Sequence, residues 1–264
     1  MILTTSPLFL GCAFATAVGY LAIALAHRAL GVKSLQALFA LTLAFHGASL
    51  LAYWIESPGR FGFAAALSVT VWMVSTIYGI ETRLKLPLRA RWPLAGLGIA
   101  AVALNVLFPG IVHPQLPSVW LPVHWALGIA SYGLIGAAVF HAILLRRADT
   151  AIRHALPDEG HRPVLTQERL MFQFIGAGFV FLSATLIAGV GFTEVLYDSG
   201  WRWDHKSVFS VLAWLSLASL LIARWRYGWR GKRAGRLLYI SAGLLLMAYV
   251  GARFVLEVVL VAPA

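Results

Sequence analysis

Eight stretches of about twenty mostly apolar residues, separated by short breaks rich in Arg, Lys and Pro, dominate this sequence. They fall near 7–26, 34–54, 62–82, 93–110, 120–145, 170–193, 207–224 and 237–261. A hydrocarbon layer of about 30 Å is spanned by about 20 helical residues, and only closed hydrogen-bonding structures survive inside it. The expectation is an all-α, polytopic membrane bundle of about eight transmembrane helices, forming one membrane domain over residues 1–264. Arg28 follows the first stretch, which carries neither a basic leader nor a small-residue cleavage pattern, so it reads as a retained helix.

Composition narrows the alternatives. The chain is 60% hydrophobic and 12% charged, where a soluble domain has about 25% charged residues. A large water-soluble core is excluded, and so is disorder, which needs low hydrophobicity. The single cysteine, Cys12, excludes an internal disulfide, a C-x-x-C redox pair and a C-x-x-C-H haem attachment.

The net charge of +11 is a signal of topology and not of a nucleic-acid partner. Of 21 Lys and Arg, 17 fall in one alternating set of loops, around residues 28–33, 83–91, 146–169 and 224–236. The other set holds only Arg60, Arg202 and Lys206, and Arg253 lies within the last stretch. The positive-inside rule then puts the basic loops in the cytoplasm and both termini on the extracytoplasmic side. The polar run 146–169 reads as a cytoplasmic loop.

Histidine marks the chemistry. His124 opens the fifth stretch and His205 precedes the seventh, at similar depth on the outer side. Two neutral imidazoles at one level suit the axial positions of a haem iron. Water and headgroups satisfy interfacial histidines equally well, and that reading stands beside the first. His141 is about 25 Å further down the same helix and cannot share the site; with His27, His154 and His161 it is expected to be solvated. His46 lies inside the second span, where ionisable groups are costly; a bond to a neighbouring helix and a ligand role are both open.

The run Trp201-Arg202-Trp203-Asp204-His205-Lys206 is the second feature. Trp201 and Trp203 offer indole faces for a planar macrocycle, and Arg202 or Lys206 offers a cation for its propionates. Most other tryptophans also fall at predicted membrane boundaries, as in an ordinary aromatic belt. Arg253 and Glu257 are four apart and can pair on the last helix. The glycine pairs Gly176/Gly178 and Gly189/Gly191 suit close helix packing.

The segment W-R-W-D-H-K-S-V-F-S-V-L-A-W, residues 201–214, resembles the tryptophan-rich segment of the CcsA/CcmC-like cytochrome c assembly family. The preceding span, the basic connection 228–234 and His124 in H-W-A-L-G-I-A-S-Y also resemble that family, over about residues 120–260. The ending G-A-R-F-V-L-E-V-V-L is similar to the YpjD branch of small inner-membrane proteins. The resemblance implies a multi-pass protein of the bacterial inner membrane that binds haem at the extracytoplasmic face in cytochrome c biogenesis. Its partners would be haem, the lipid bilayer, and another membrane protein or an apocytochrome.

Of the family's ligand histidines only His124 carries over. The one expected near Leu260 is missing, and Ile222 stands where an in-membrane histidine is expected. His205 and Ser207 replace the family's proline and glutamate. From its depth, His205 is the candidate for the second axial position. Holding haem makes or breaks no substrate bond, so no enzyme activity is expected. The rival reading is a haem-free membrane scaffold or regulatory subunit.

Overall fold

The computed structural model describes residues 7–26, 29–56, 60–83, 91–112, 120–154, 164–191 and 203–259. Within them the chain forms eight helices: α1 (Pro7–Ala26), α2 (Val32–Glu56), α3 (Phe63–Arg83), α4 (Arg91–Leu107), α5 (Trp120–Arg153), α6 (Val164–Gly191), α7 (His205–Tyr227) and α8 (Gly231–Leu246). The last continues through a π-helical turn, Met247–Gly251, a short α-turn, Ala252–Phe254, and a second π segment, Val255–Val259. Seven of these helices are long and apolar enough to cross a membrane. The fourth is shorter in its apolar part, Pro93–Leu107. The chain is a polytopic helical membrane protein, as its apolar stretches require.

Two compact units divide the chain, one of Met1–Gln115 with Arg253–Ala264 and one of Leu116–Ala252. In the second unit the buried apolar residues recur at alternating three- and four-residue steps. They are Ile135, Ala138, Ala142 and Leu145 on α5, with Met171, Ile175 and Leu182 on α6. Ala213, Leu217 and Leu220 on α7 and Ala234, Leu238 and Leu245 on α8 complete them. This is the seam spacing of supercoiled helices. Small alanines on the α5, α7 and α8 seams let the backbones approach in a lipid solvent that supplies no hydrophobic drive between helices. Gly178 does the same: a Cβ there would lie 2.7 Å from Ile135 Cδ1, and its carbonyl accepts from Ser131 Oγ at 3.1 Å. Gly176 and Gly191 face open space and take no part in such packing.

The first unit is built on a similar seam that carries more polar groups. Thr16 and Tyr20 of α1, Thr42 and His46 of α2, Ser68 and Ser75 of α3 and Asn105 of α4 are all buried. His46 bonds on both sides, Nδ1 with Tyr20 Oη at 3.0 Å and Nε2 with Ser68 Oγ at 2.9 Å. The open question about His46 is thereby answered, because both ring nitrogens are engaged in linking three helices. At one end of this unit, Arg60 and Phe61 pair antiparallel with Val112 and Ile111. This small pairing is the exception to an all-helical fold. Gly110 precedes it at φ +74°, and a Cβ there would lie 2.7 Å from the Gly62 amide nitrogen. Backbone handedness and backbone contact both demand glycine. Tyr53 donates its hydroxyl to the Pro109 carbonyl beside the same turn.

The polar run 146–169 differs from the expected loop. α5 continues to Arg153 and α6 begins at Val164, so much of that run is helix. A helix already nucleated in the membrane adds residues cheaply, and an Arg153–Asp149 pair at 3.1 Å, spaced i,i+4, supports the extension. The connection between α7 and α8 is set by glycine. Gly228 sits at φ 64°, its N–H bonds the Arg224 carbonyl at 3.1 Å, and Trp229 N–H bonds Ala223 at 3.2 Å. The first is the 5→1 bond of an αL cap, so the chain turns tightly and α8 starts earlier than hydropathy alone suggests.

Candidate functional site

In the second unit α5 and α7 start, and α6 and α8 run out, at one end of the bundle, as an up-down-up-down order requires. The residues singled out from the sequence collect there. Asp204 caps α7 in extended conformation (φ −92°, ψ 171°), its carboxylate accepting from Ser207 N–H at 2.8 Å. The aspartate of the W-x-W-D segment therefore fixes where the helix begins, and with it the directions of His205 and Lys206.

The seam register decides those directions. Seven residues before Ala213 on α7 lies Lys206, which is half-buried; His205, one step around the helix, is exposed. Lys206 Nζ lies over the Tyr249 ring, 6.0 Å from its centroid. Its charge also acts on His124. His124 itself falls on the α5 seam, seven residues before the fully buried Ser131, and is buried at 8% exposure. Two turns inward, Tyr132 donates its hydroxyl to the Leu245 carbonyl. That carbonyl lies in the turn where α8 gives way to the π segment, and a side chain bonding into a helix ladder is a recognised cause of such a break.

The structure thus brings together His124, Lys206, Tyr132 and Tyr249. Trp203 stands at the same end and is 70% exposed. Trp201 and Arg202 lie outside the described residues, as does the side chain of Glu257, the intended partner of Arg253. The belt of tryptophans is seen in Trp54, Trp203 and Trp225, all exposed, whereas Trp214 turns inward, stacks on Phe179 and donates Nε1–H to Ser183 Oγ at 2.8 Å.

One expectation about histidine is overturned at the opposite end. His141 is buried, not solvated; it bonds Gln167 Oε1 at 2.7 Å through Nδ1 and stacks on Phe174 at 5.4 Å. The signal was present in the register, since His141 lies three residues after Ala138 and four before Leu145, both on the seam. Close by, the buried Glu168 of α6 accepts from Arg224 Nη1 at 3.2 Å, with Arg230 Nε 3.8 Å away. Arg224 also lies over Phe172, 4.5 Å from its centroid. Among the described residues no group of three metal-ligating side chains occurs, so protein donors alone build no metal centre there.

Membrane-crossing helices, with an imidazole, a cation and an exposed indole at one end of one bundle, define a multi-pass membrane protein. The chain belongs to the cytochrome c assembly protein family, whose match covers residues 32–260 and so begins well before the tryptophan-rich segment. An uncharacterized 28.8 kDa protein in the nifR3-like 5′ region of Azospirillum brasilense is 29% identical over 84% of this chain and 85% of its own. The cytochrome c biogenesis protein CcsA of Synechococcus elongatus is 26% identical over 77% of this chain and 79% of its own. CcsA of Heterosigma akashiwo is 34% identical over a shorter segment, 43% of this chain and 35% of the relative.

Proposed function

We propose that this protein holds haem at the extracytoplasmic end of its second unit during cytochrome c biogenesis. The observation that carries the reading is His124, a buried imidazole on the bundle seam with the Lys206 charge beside it. The donor chemistry fits haem: His124 would ligate its iron, Lys206 would pair with a propionate, and Trp203 would offer an apolar face to the ring. His205, the other described imidazole at this end, would supply a second iron ligand. Bound there, haem would supply a redox-active iron available for delivery to an apocytochrome. The residues of this chain would bind and orient it. No bond to a substrate is made or broken, so the role is that of a carrier working with a partner membrane protein.

The side of the membrane follows from charge. The 17-to-3 split of basic residues supports cytoplasmic loops at the Glu168 end and extracytoplasmic termini in a bacterial inner membrane. That alternation requires α4 to cross, although its 17 residues span only about 25 Å. Alkaline phosphatase fused to the C-terminus is expected to be active, and an inactive fusion would reverse the assignment.

The haem reading is tested by visible absorption of the full chain, purified in detergent from haem-supplemented cells. Wild type is expected to show a low-spin bis-imidazole spectrum, with His124→Ala losing at least about tenfold of its haem, as loss of a metal ligand would give. A spectrum unchanged in His205→Ala would remove His205 from the iron while leaving His124 in place. Colourless wild-type protein would refute haem binding and leave the haem-free scaffold.

A further inference from the structure

We propose a binding site for an anionic phospholipid at the basic end of the second unit, distinct from the haem site at the opposite end. A cavity of about 530 Å³ opens there between the ends of α5 and α6 and the start of α8. Its inner wall is apolar, formed by Leu145, Met171 and Tyr239, and two glycines of α8, Gly231 and Gly235, leave the helix face bare of side chains. Its rim is cationic, carrying Arg146, Lys232 and Arg236.

The charge balance at this cavity is what points to a ligand. Among the described residues lining it, the only carboxylates are Asp149 and Glu168. Asp149 is engaged with Arg153 at 3.1 Å, and Glu168 with Arg224 and Arg230 at 3.2 and 3.8 Å. Arg146, Lys232 and Arg236 therefore converge on one opening without a lining carboxylate left to neutralise them. The positive-inside rule places basic residues in such loops, but it does not gather them around an apolar-walled cavity. Arg230, at the N-cap of α8, provides no side-chain cap, so the first-turn N–H groups at the same opening add a partial positive charge.

A ligand that suits this arrangement has an anionic head and an apolar body entering from the bilayer. Phospholipid phosphate offers acceptors for guanidinium and ammonium donors, and its glycerol and upper acyl groups suit the Leu145, Met171 and Tyr239 wall. The volume lies within the range of small-molecule sites. Binding at this place would tie α5, α6 and α8 together on the side where Glu168 already joins α6 to α7 and to Arg230.

The test uses the full chain in nonionic detergent, with native mass spectrometry and thermal melting across titrations of phosphatidylglycerol and cardiolipin against phosphatidylcholine of matched acyl chains. Wild type is expected to retain anionic lipid and to melt higher with it. The triple variant Arg146→Gln, Lys232→Gln, Arg236→Gln is expected to bind on the order of a hundredfold more weakly, from about 1 kcal/mol per basic residue. A control triple, Arg147→Gln, Arg226→Gln, Arg233→Gln, removes the same charge from the same end outside the cavity and is expected to stay within about threefold of wild type. Equal losses in the two triples would make the attraction a general surface effect and overturn the site. Phosphatidylcholine binding as tightly as phosphatidylglycerol would do the same. Displacement of the lipid by equimolar inorganic phosphate, or one for one by haemin, would assign the cavity to that anion and overturn the lipid.

Discussion

Gly98→Ala is expected to destabilise the first unit by about 2–6 kcal/mol, read as a lower midpoint in thermal or detergent unfolding. The added methyl would overlap Tyr20 Cε2 and lie 2.6 and 2.7 Å from Cζ and Cδ2. The ring has nowhere to go. Tyr20 is fully buried, its hydroxyl is bonded to His46 Nδ1 at 3.0 Å, and it stands edge-on to the imidazole at 5.8 Å. Moving it costs overpacking of about 1–3 kcal/mol and breaks a buried hydrogen bond, leaving groups unpaired at about 1–3 kcal/mol. In a Tyr20→Ala background, where the ring is gone, Gly98→Ala should cost much less than in wild type, so the two effects will not add. Gly96→Ala on the same helix is the control: nothing lies within 4 Å of its Cβ position, and the change should be neutral or slightly stabilising. A Gly98→Ala melt indistinguishable from wild type would show that the Tyr20–His46–Ser68 chain does not hold the ring.

The second large effect is expected at Glu168→Gln. This carboxylate is 6% exposed and is, among the described residues, the anion shared by Arg224 and Arg230. Replacing it leaves two cations facing each other at a packed helix junction, with the Arg224 guanidinium held over Phe172. Removing one member of a buried pair costs about 3–5 kcal/mol. Here the Arg side chains are 27% and 61% exposed, so solvent recovers part of that and about 2–4 kcal/mol is expected. Asp149→Asn, which breaks the exposed Arg153 pair on α5, should cost under about 0.5 kcal/mol in the same assay. Equal effects of the two substitutions would show that burial of Glu168 contributes nothing.

Both sites bear on what could be read from residues alone. Hydropathy located every long helix among the described residues, because a membrane demands long apolar segments whatever their partners are. It misjudged their ends where polar sequence continued a helix, as in α5 beyond Arg146 and at the start of α8 after Gly228. Helix propagation and a glycine cap act there, and neither is a hydrophobic signal. The Lys and Arg pattern organised the loops, and the tryptophan-rich run with His124 pointed to one end of the second unit. The difference between His205 and Lys206 was not visible in a motif reading, since both adjoin the same cap. It follows from counting back along the α7 seam from Ala213 to Lys206.

His141, Gln167 and Glu168 were legible by the same counting and were missed, because polar residues near a basic loop invite a solvated reading. Their positions relative to Ala138, Leu145 and Met171 put them on the seam. Residue identity said polar; register said buried.

The sequence by itself determined that the chain is a helical membrane protein, where its apolar segments lie and which residue types gather at each end. Those properties depend on the free energy of placing each segment in lipid, which is local and nearly additive along the chain. The tertiary structure decided which polar groups meet: His46 with Tyr20 and Ser68, Glu168 with two arginines, and Lys206 with the Tyr249 ring. Partners of that kind are chosen by helix register and by the space that glycine and alanine leave. Both are settled only when several segments pack at once.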